Sequence, residues 1–136
     1  MSEPGNAWPD YARSDLEAAG MLGQNERVWL LACFHYHQAA EKALKAVLVA
    51  GGKRLLRIHN LVVLVREAAA LVPDLQVLAG WAERLNPFHL HTRYPVESDH
   101  TVQLAELEEA SRAATAIVSG ASVAVHTLLE KRGGRG

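Results

Sequence analysis

The sequence predicts an all-α fold, an antiparallel up-and-down bundle of four to five helices. Two observations carry this. Glycines and prolines gather at the ends and at a few punctuation points, and the stretches between them are rich in Ala, Leu, Glu and Val. Within those stretches apolar residues recur at helical spacing, and the short alternating runs of half-buried strands are missing.

The elements follow in order. A first helix is expected from about Asp10 to Leu22, with Pro9 setting its start and Gly23 its end. The clearest element is the second, Glu26 to Ala50, stopped by Gly51 and Gly52. On a helical wheel Trp29, Ala32, Tyr36, Ala39, Ala40, Ala43, Val47 and Ala50 form one broad apolar face, with Gln38, Glu41, Lys42 and Lys45 opposite. That face is mostly alanine, which lets a neighbouring helix approach closely. Asn60 is the expected N-cap of a third helix, which Pro73 ends. A shorter fourth piece begins at Asp74 and stops before Pro87. The following stretch, with Pro87 and Pro95, reads as an irregular connection. Ser98 or Asp99 is the expected cap of the last helix, carried to about Lys131 with the stripe Leu107, Ala110, Ala114, Ile117, Ala121, Val125 and Leu128. Gly120 inside it costs about 1 kcal/mol of helix propensity against alanine. The "GGRG" tail is expected to fray.

The bulk properties bound the function. The 136 residues make one domain, ordered over about 8–131 and large enough to bury a core without disulfides or metals. A net charge of −1 gives no basis for general coating of DNA, so any nucleic-acid site must be local. The single cysteine, Cys33, excludes an intramolecular disulfide, consistent with a reducing compartment. The first ten residues lack the basic start and apolar region of a signal peptide. No uncharged apolar run approaches the roughly 20 residues that span a bilayer. A cytoplasmic protein is expected.

Several side chains are candidates for chemistry. His89 and His91 in "HLH" share one side of an extended segment, but no cysteine or third ligand stands nearby, so no metal site is expected. His35 and His37 lie on different sides of their helix. His37 and Glu41 share a face at i,i+4, a spacing more typical of a surface pair than of a catalytic dyad. Phe34 projects on the polar side near Leu30. It is either a contact for another protein or covered by the short fourth helix.

The segment "ACFHYHQAAEKALKAVL" resembles the signature of HEPN domains (higher eukaryotes and prokaryotes nucleotide-binding). So do "WPDYARSDLEAA" before it, "HNLVVLVREA" after it and "TRYP" before the last helix. Their order and spacing match from Trp8 to about Leu129. The resemblance implies a helical bundle that forms homodimers and pairs with a small nucleotidyltransferase. This chain has no room for the transferase, so a standalone HEPN subunit is expected. Many HEPN proteins are also similar in being metal-independent endoribonucleases, often toxins, with an arginine, four to six residues, then a histidine near the start of the last helix.

"RYPVESDH" fits that pattern, and the residues carried over as catalytic are Arg93 and His100. The chemistry suits them. RNA is cleaved without metal when its own 2′-OH attacks the adjacent phosphate. A histidine can exchange protons near neutral pH, and an arginine holds charge on the phosphate through its planar fork. On a continuous helix the two would share nearly one face, about 10 Å apart along the axis. Spacing alone does not single them out: Arg54 with His59, Arg84 with His89 and Arg84 with His91 also fit. Tyr94 and Pro95 follow Arg93 where active members carry a small polar residue, and Val102 stands where a subgroup has a modified tyrosine. In the alternative reading, Arg93 ion-pairs with Glu97 or Asp99 and His100 is a solvated first-turn residue. Three functions follow: a dimeric subunit that binds nucleotide or RNA beside a nucleotidyltransferase, a metal-independent endoribonuclease toxin using Arg93 and His100, or a purely structural helical dimer. No cofactor is expected.

Overall fold

The computed structural model describes residues 6–54, 57–91 and 101–133. Their helices are α1 (Trp8–Leu22), α2 (Trp29–Ala50), α3 (Leu61–Leu71), α4 (Ala79–Leu85), α5 (Phe88–His91) and α6 (Leu104–Gly133), with 3₁₀ turns at Glu26–Val28 and Pro73–Leu78. No strand occurs among the described residues. The fold is an all-α bundle.

The start of α1 lies two residues before the expected Asp10, because Pro9 occupies its first turn, where a missing N–H costs nothing. Asn6 anchors that start. Its side-chain oxygen accepts from the Trp8 N–H at 3.3 Å and its amide donates to the Ala46 carbonyl at 3.3 Å. Farther along, Asp15 accepts from His35 at 3.0 Å and from Lys42 at 2.5 Å. At the other end the Trp29 indole donates to the Gly23 carbonyl at 2.9 Å. These contacts descend along α2 as α1 ascends, so the two helices are antiparallel.

Helix α2 is the centre of the molecule, with α1, α3, α5 and α6 all packed on it. Its expected alanine face is buried, and so is much of the side expected to face solvent. Glu41 is 4% exposed and Lys45 8%. A helical wheel shows which face is most apolar, not how many neighbours surround the helix. Here α3 and α5 cover the second side, and only Gln38 and Lys42 of that polar set stay half-buried.

The chain leaves α2 through Gly52, whose φ of +76° suits only glycine. Gly51 lies so close to Leu71 that an added Cβ would come within 2.4 Å of its side chain. The C-terminal ends of α2 and α3 thus meet. Asn60 caps α3 as expected, accepting from the Val62 and Val63 N–H groups at 2.9 and 3.2 Å. The fourth piece divides into a 3₁₀ turn and α4. Leu75 and Leu78 of that turn lie over Gly120, and Leu78 stands 3.1 Å from where a Cβ would be. The glycine in α6 therefore admits a leucine from across the bundle, which offsets its poor helix propensity.

The greatest departure from expectation lies between α4 and α6. Residues 88–91 form a helical turn, with Phe88 buried against the bundle. The last helix begins at Leu104, not after Ser98 or Asp99, and Thr101 to Gln103 precede it outside the helix. Gln103 is its cap: the Glu106 carboxylate accepts the Gln103 N–H at 2.9 Å, one half of a capping box. The expected stripe then holds, with Leu107, Ala110, Ala114, Ile117 and Ala121 all buried. By length and composition α6 could cross a bilayer, but this stripe is buried in the bundle.

Candidate functional site

Arg93 and His100 lie outside the described residues, as do Glu97 and Asp99. The frame on either side of them is clear. The segment leaves α5 at His91 and rejoins the bundle at Val102, which is 7% exposed and part of the core. Because α6 starts at Leu104, its free N–H groups belong to residues later than His100. Its first turn also carries the Glu106 carboxylate. A last helix that begins at Leu104 does not have His100 in its first turn, as the alternative reading expected.

The fold assembles a different constellation just before that segment. His37 and Glu41 sit one turn apart on α2, as the spacing requires, but both are interior: His37 is 0% exposed and Glu41 4%. The surface-pair reading is overturned because α5 closes over this side of α2. The turn at residues 88–91 brings His89 against His37, with ring centroids 5.2 Å apart. His59, in the connection before α3, also stacks on His89, with ring centroids 4.9 Å apart. Three imidazoles form a short column from the interior to the exposed edge of His59. The extended "HLH" geometry is absent, since these residues are helical.

The polar partners are divided unevenly. One carboxylate oxygen of Glu41, Oε2, receives Lys45 Nζ at 2.9 Å and His59 Nδ1 at 3.2 Å. The other, Oε1, has no hydrogen-bond partner among the described residues and lies 3.9 Å from His37 Nδ1. Neither ring nitrogen of His37 has a partner at hydrogen-bond geometry among them. The side-chain oxygen of Asn86 accepts from the Leu61 N–H at 2.9 Å. The Asn86 side chain also favours the protonated form of the His37 ring, without meeting it at hydrogen-bond geometry. The ligand atoms of His37, Glu41 and His89 all lie within 4.8 Å of one another.

Burial is the main influence on His37. It lowers the imidazole pKa to about 4, with Glu41 pulling upward and His89 and His59 pushing down. His37 is thus a neutral base at physiological pH, able to offer a lone pair. Cys33 is a poor nucleophile by contrast: burial, aided by Glu106, pushes its thiol up to about 12.

Sequence reasoning missed this group as a unit. The available signal was the ladder His37, Glu41 and Lys45, three polar residues four apart in an alanine-rich helix. His89 and His59 come from segments read as connections, so nothing local tied them to that ladder. Among the other pairs that fit the Arg-to-His spacing, Arg84 lies over the Trp81 ring at 5.1 Å and 3.9 Å from the Glu109 carboxylate.

Known proteins place the chain as a whole. No curated protein matches it. Among solved structures, the crystal structure of TT1696 from Thermus thermophilus is similar, with a TM-score of 0.76 at 29% identity. The alignment covers 88% of this chain and 98% of that one, so the shared fold accounts for nearly the whole length of both. The HEPN domain model matches residues 6–120, from the anchor of α1 to the glycine that receives Leu78. The chain belongs to the HEPN domain family.

Proposed function

We propose that this HEPN chain is the nucleotide- or RNA-binding subunit of a pair completed by a small nucleotidyltransferase, acting as a homodimer in the cytoplasm. Arg93 and His100 meet the phosphate. The observation that carries the reading is the extent of the family match: it spans the whole of "RYPVESDH" and reaches into the helices on either side of it. Cleavage of the bound RNA, with His100 exchanging protons and Arg93 holding the phosphate, is the second reading. The Arg-to-His spacing ahead of the last helix favours it.

Purified full-length chain is expected to bind single-stranded RNA or a nucleotide, and Arg93→Ala to weaken that binding about tenfold or more, the worth of a charge-assisted contact. No binding, or equal binding by the variant, would remove both readings and leave the structural dimer. For the second reading, total RNA from cells expressing the chain alone should be cleaved. Cleavage should vanish with His100→Ala at unchanged helicity. Intact RNA in both cultures would eliminate the nuclease and spare the binding subunit.

The dimer needs a surface other than the alanine face of α2. Those alanines are buried within the chain, against α1 and α6. The flank that remains is Leu30, Leu31 and Phe34, of which Leu31 is 42% exposed. Light scattering at micromolar concentration should report the mass of two chains. A monomer there would remove the composite cleft from the nuclease reading.

A further inference from the structure

The geometry points to a buried divalent-metal site formed by His37, Glu41 and His89, taking a transition ion of the zinc class and tying α5 to α2. Its donor atoms lie within 4.8 Å of one another. The decisive feature is not their proximity but the unmet demand of two of them. His37 is fully enclosed, yet both of its ring nitrogens lack hydrogen-bond partners among the described residues, and so does Glu41 Oε1. Each such group loses its hydration on burial with no hydrogen bond to replace it. A single cation between them satisfies a nitrogen of His37 and Glu41 Oε1 together, and His89 completes a three-residue set.

The surroundings suit that role. Lys45 and His59 both engage the far oxygen of Glu41, which holds the carboxylate in place and leaves Oε1 directed at His37. Such outer contacts orient a ligand. Two imidazoles and one carboxylate, with no thiolate, favour zinc, cobalt, nickel or copper over calcium or magnesium, which prefer all-oxygen shells. Zinc holds such donors at about 2.0–2.2 Å, so they must close to roughly 3.5 Å from each other on loading. His89 sits on the short α5 and can supply most of that movement. His59, 46% exposed at its side chain, stands between the interior and solvent, where it can serve as the entry point.

This inference draws on neither Arg93 nor His100, and its failure leaves the RNA-binding reading untouched. Full-length protein stripped with chelator should be titrated with Co²⁺ and with Zn²⁺. The expected result is one ion per chain, a visible absorption band of tetrahedral cobalt, and a higher unfolding temperature with zinc. Both His37→Gln and His89→Gln should lose affinity by more than about 100-fold, beyond the effect of an outer-shell partner. A control change at the exposed His126→Gln, which pairs with Glu130 on α6, should bind as the parent does. Absence of the tetrahedral band in the parent chain at one equivalent overturns the site. So does full uptake by a folded His89→Gln, should His37→Gln prove unable to fold.

Discussion

Replacing Lys45 by Met is expected to destabilise the metal-free protein by about 3–5 kcal/mol, the cost of leaving a buried charge without its partner. Lys45 and Glu41 form an i,i+4 pair at 2.9 Å with side chains 10% and 6% exposed, so water cannot take over the role of the lost ammonium. His59 remains on the same carboxylate oxygen and recovers only part of the loss. The methylene stem of Lys45 is mimicked by Met, which keeps the packing and isolates the charge. The Nζ also stands over the Trp8 ring at 5.6 Å, so the anchor of α1 loosens with it. For a domain of this size the loss corresponds to roughly 10–20 °C in unfolding temperature. The double change Glu41→Leu with Lys45→Met should recover most of that stability, since a buried ion pair is often no better than apolar residues of similar volume. Urea unfolding of the two variants decides the point. A loss under about 1 kcal/mol in Lys45→Met would place the pair effectively in water.

Lys45 also shows how far the sequence could be read. The helices that end at glycines, prolines and caps were legible, because Gly51, Gly52, Asn60 and Pro73 act through local backbone chemistry. The stripe of α6 was legible because its buried residues recur at helical spacing. The second side of α2 was not legible. Burial there depends on α3 and α5, and α5 is one helical turn inside a segment that its prolines mark as irregular. A polar residue in a helical pattern reads as solvent-facing unless a second cover is known. The start of α6 was misplaced for a different reason. Ser98 and Asp99 are intrinsically better caps than Gln103, but Glu106 reaches back to the Gln103 N–H and makes a weak cap sufficient. The same limits hide the His37 group. Its members come from α2, from α5 and from the connection before α3, and only the tertiary fold joins them.

Acid should weaken the metal-free fold through His37 before any general unfolding of the chain. In the folded protein burial holds this imidazole down to about 4, against 6.5 for an unperturbed histidine. Above pH 6.5 both folded and unfolded chains carry it neutral, and it contributes nothing to pH dependence. Between 6.5 and about 4 the unfolded chain binds the proton and the folded one does not, so stability falls as pH falls. Below about 4 both forms are protonated and the loss is complete. Integrated over that window, it amounts to about 3 kcal/mol. Burial sets the direction of the shift. It exceeds every facing group; Glu41 favours protonation of the ring, while His89 and His59 oppose it. The measurement is urea unfolding of chelator-treated protein at about pH 7, 5.5 and 4, spanning the two ends of the window, beside His37→Leu, which keeps an apolar group in an enclosed space and removes the titration. The parent should lose about 3 kcal/mol more than the variant between the two ends of that range. Parallel curves for the two proteins would mean that water reaches the ring, and that His37 is not the enclosed neutral base on which the column of imidazoles depends.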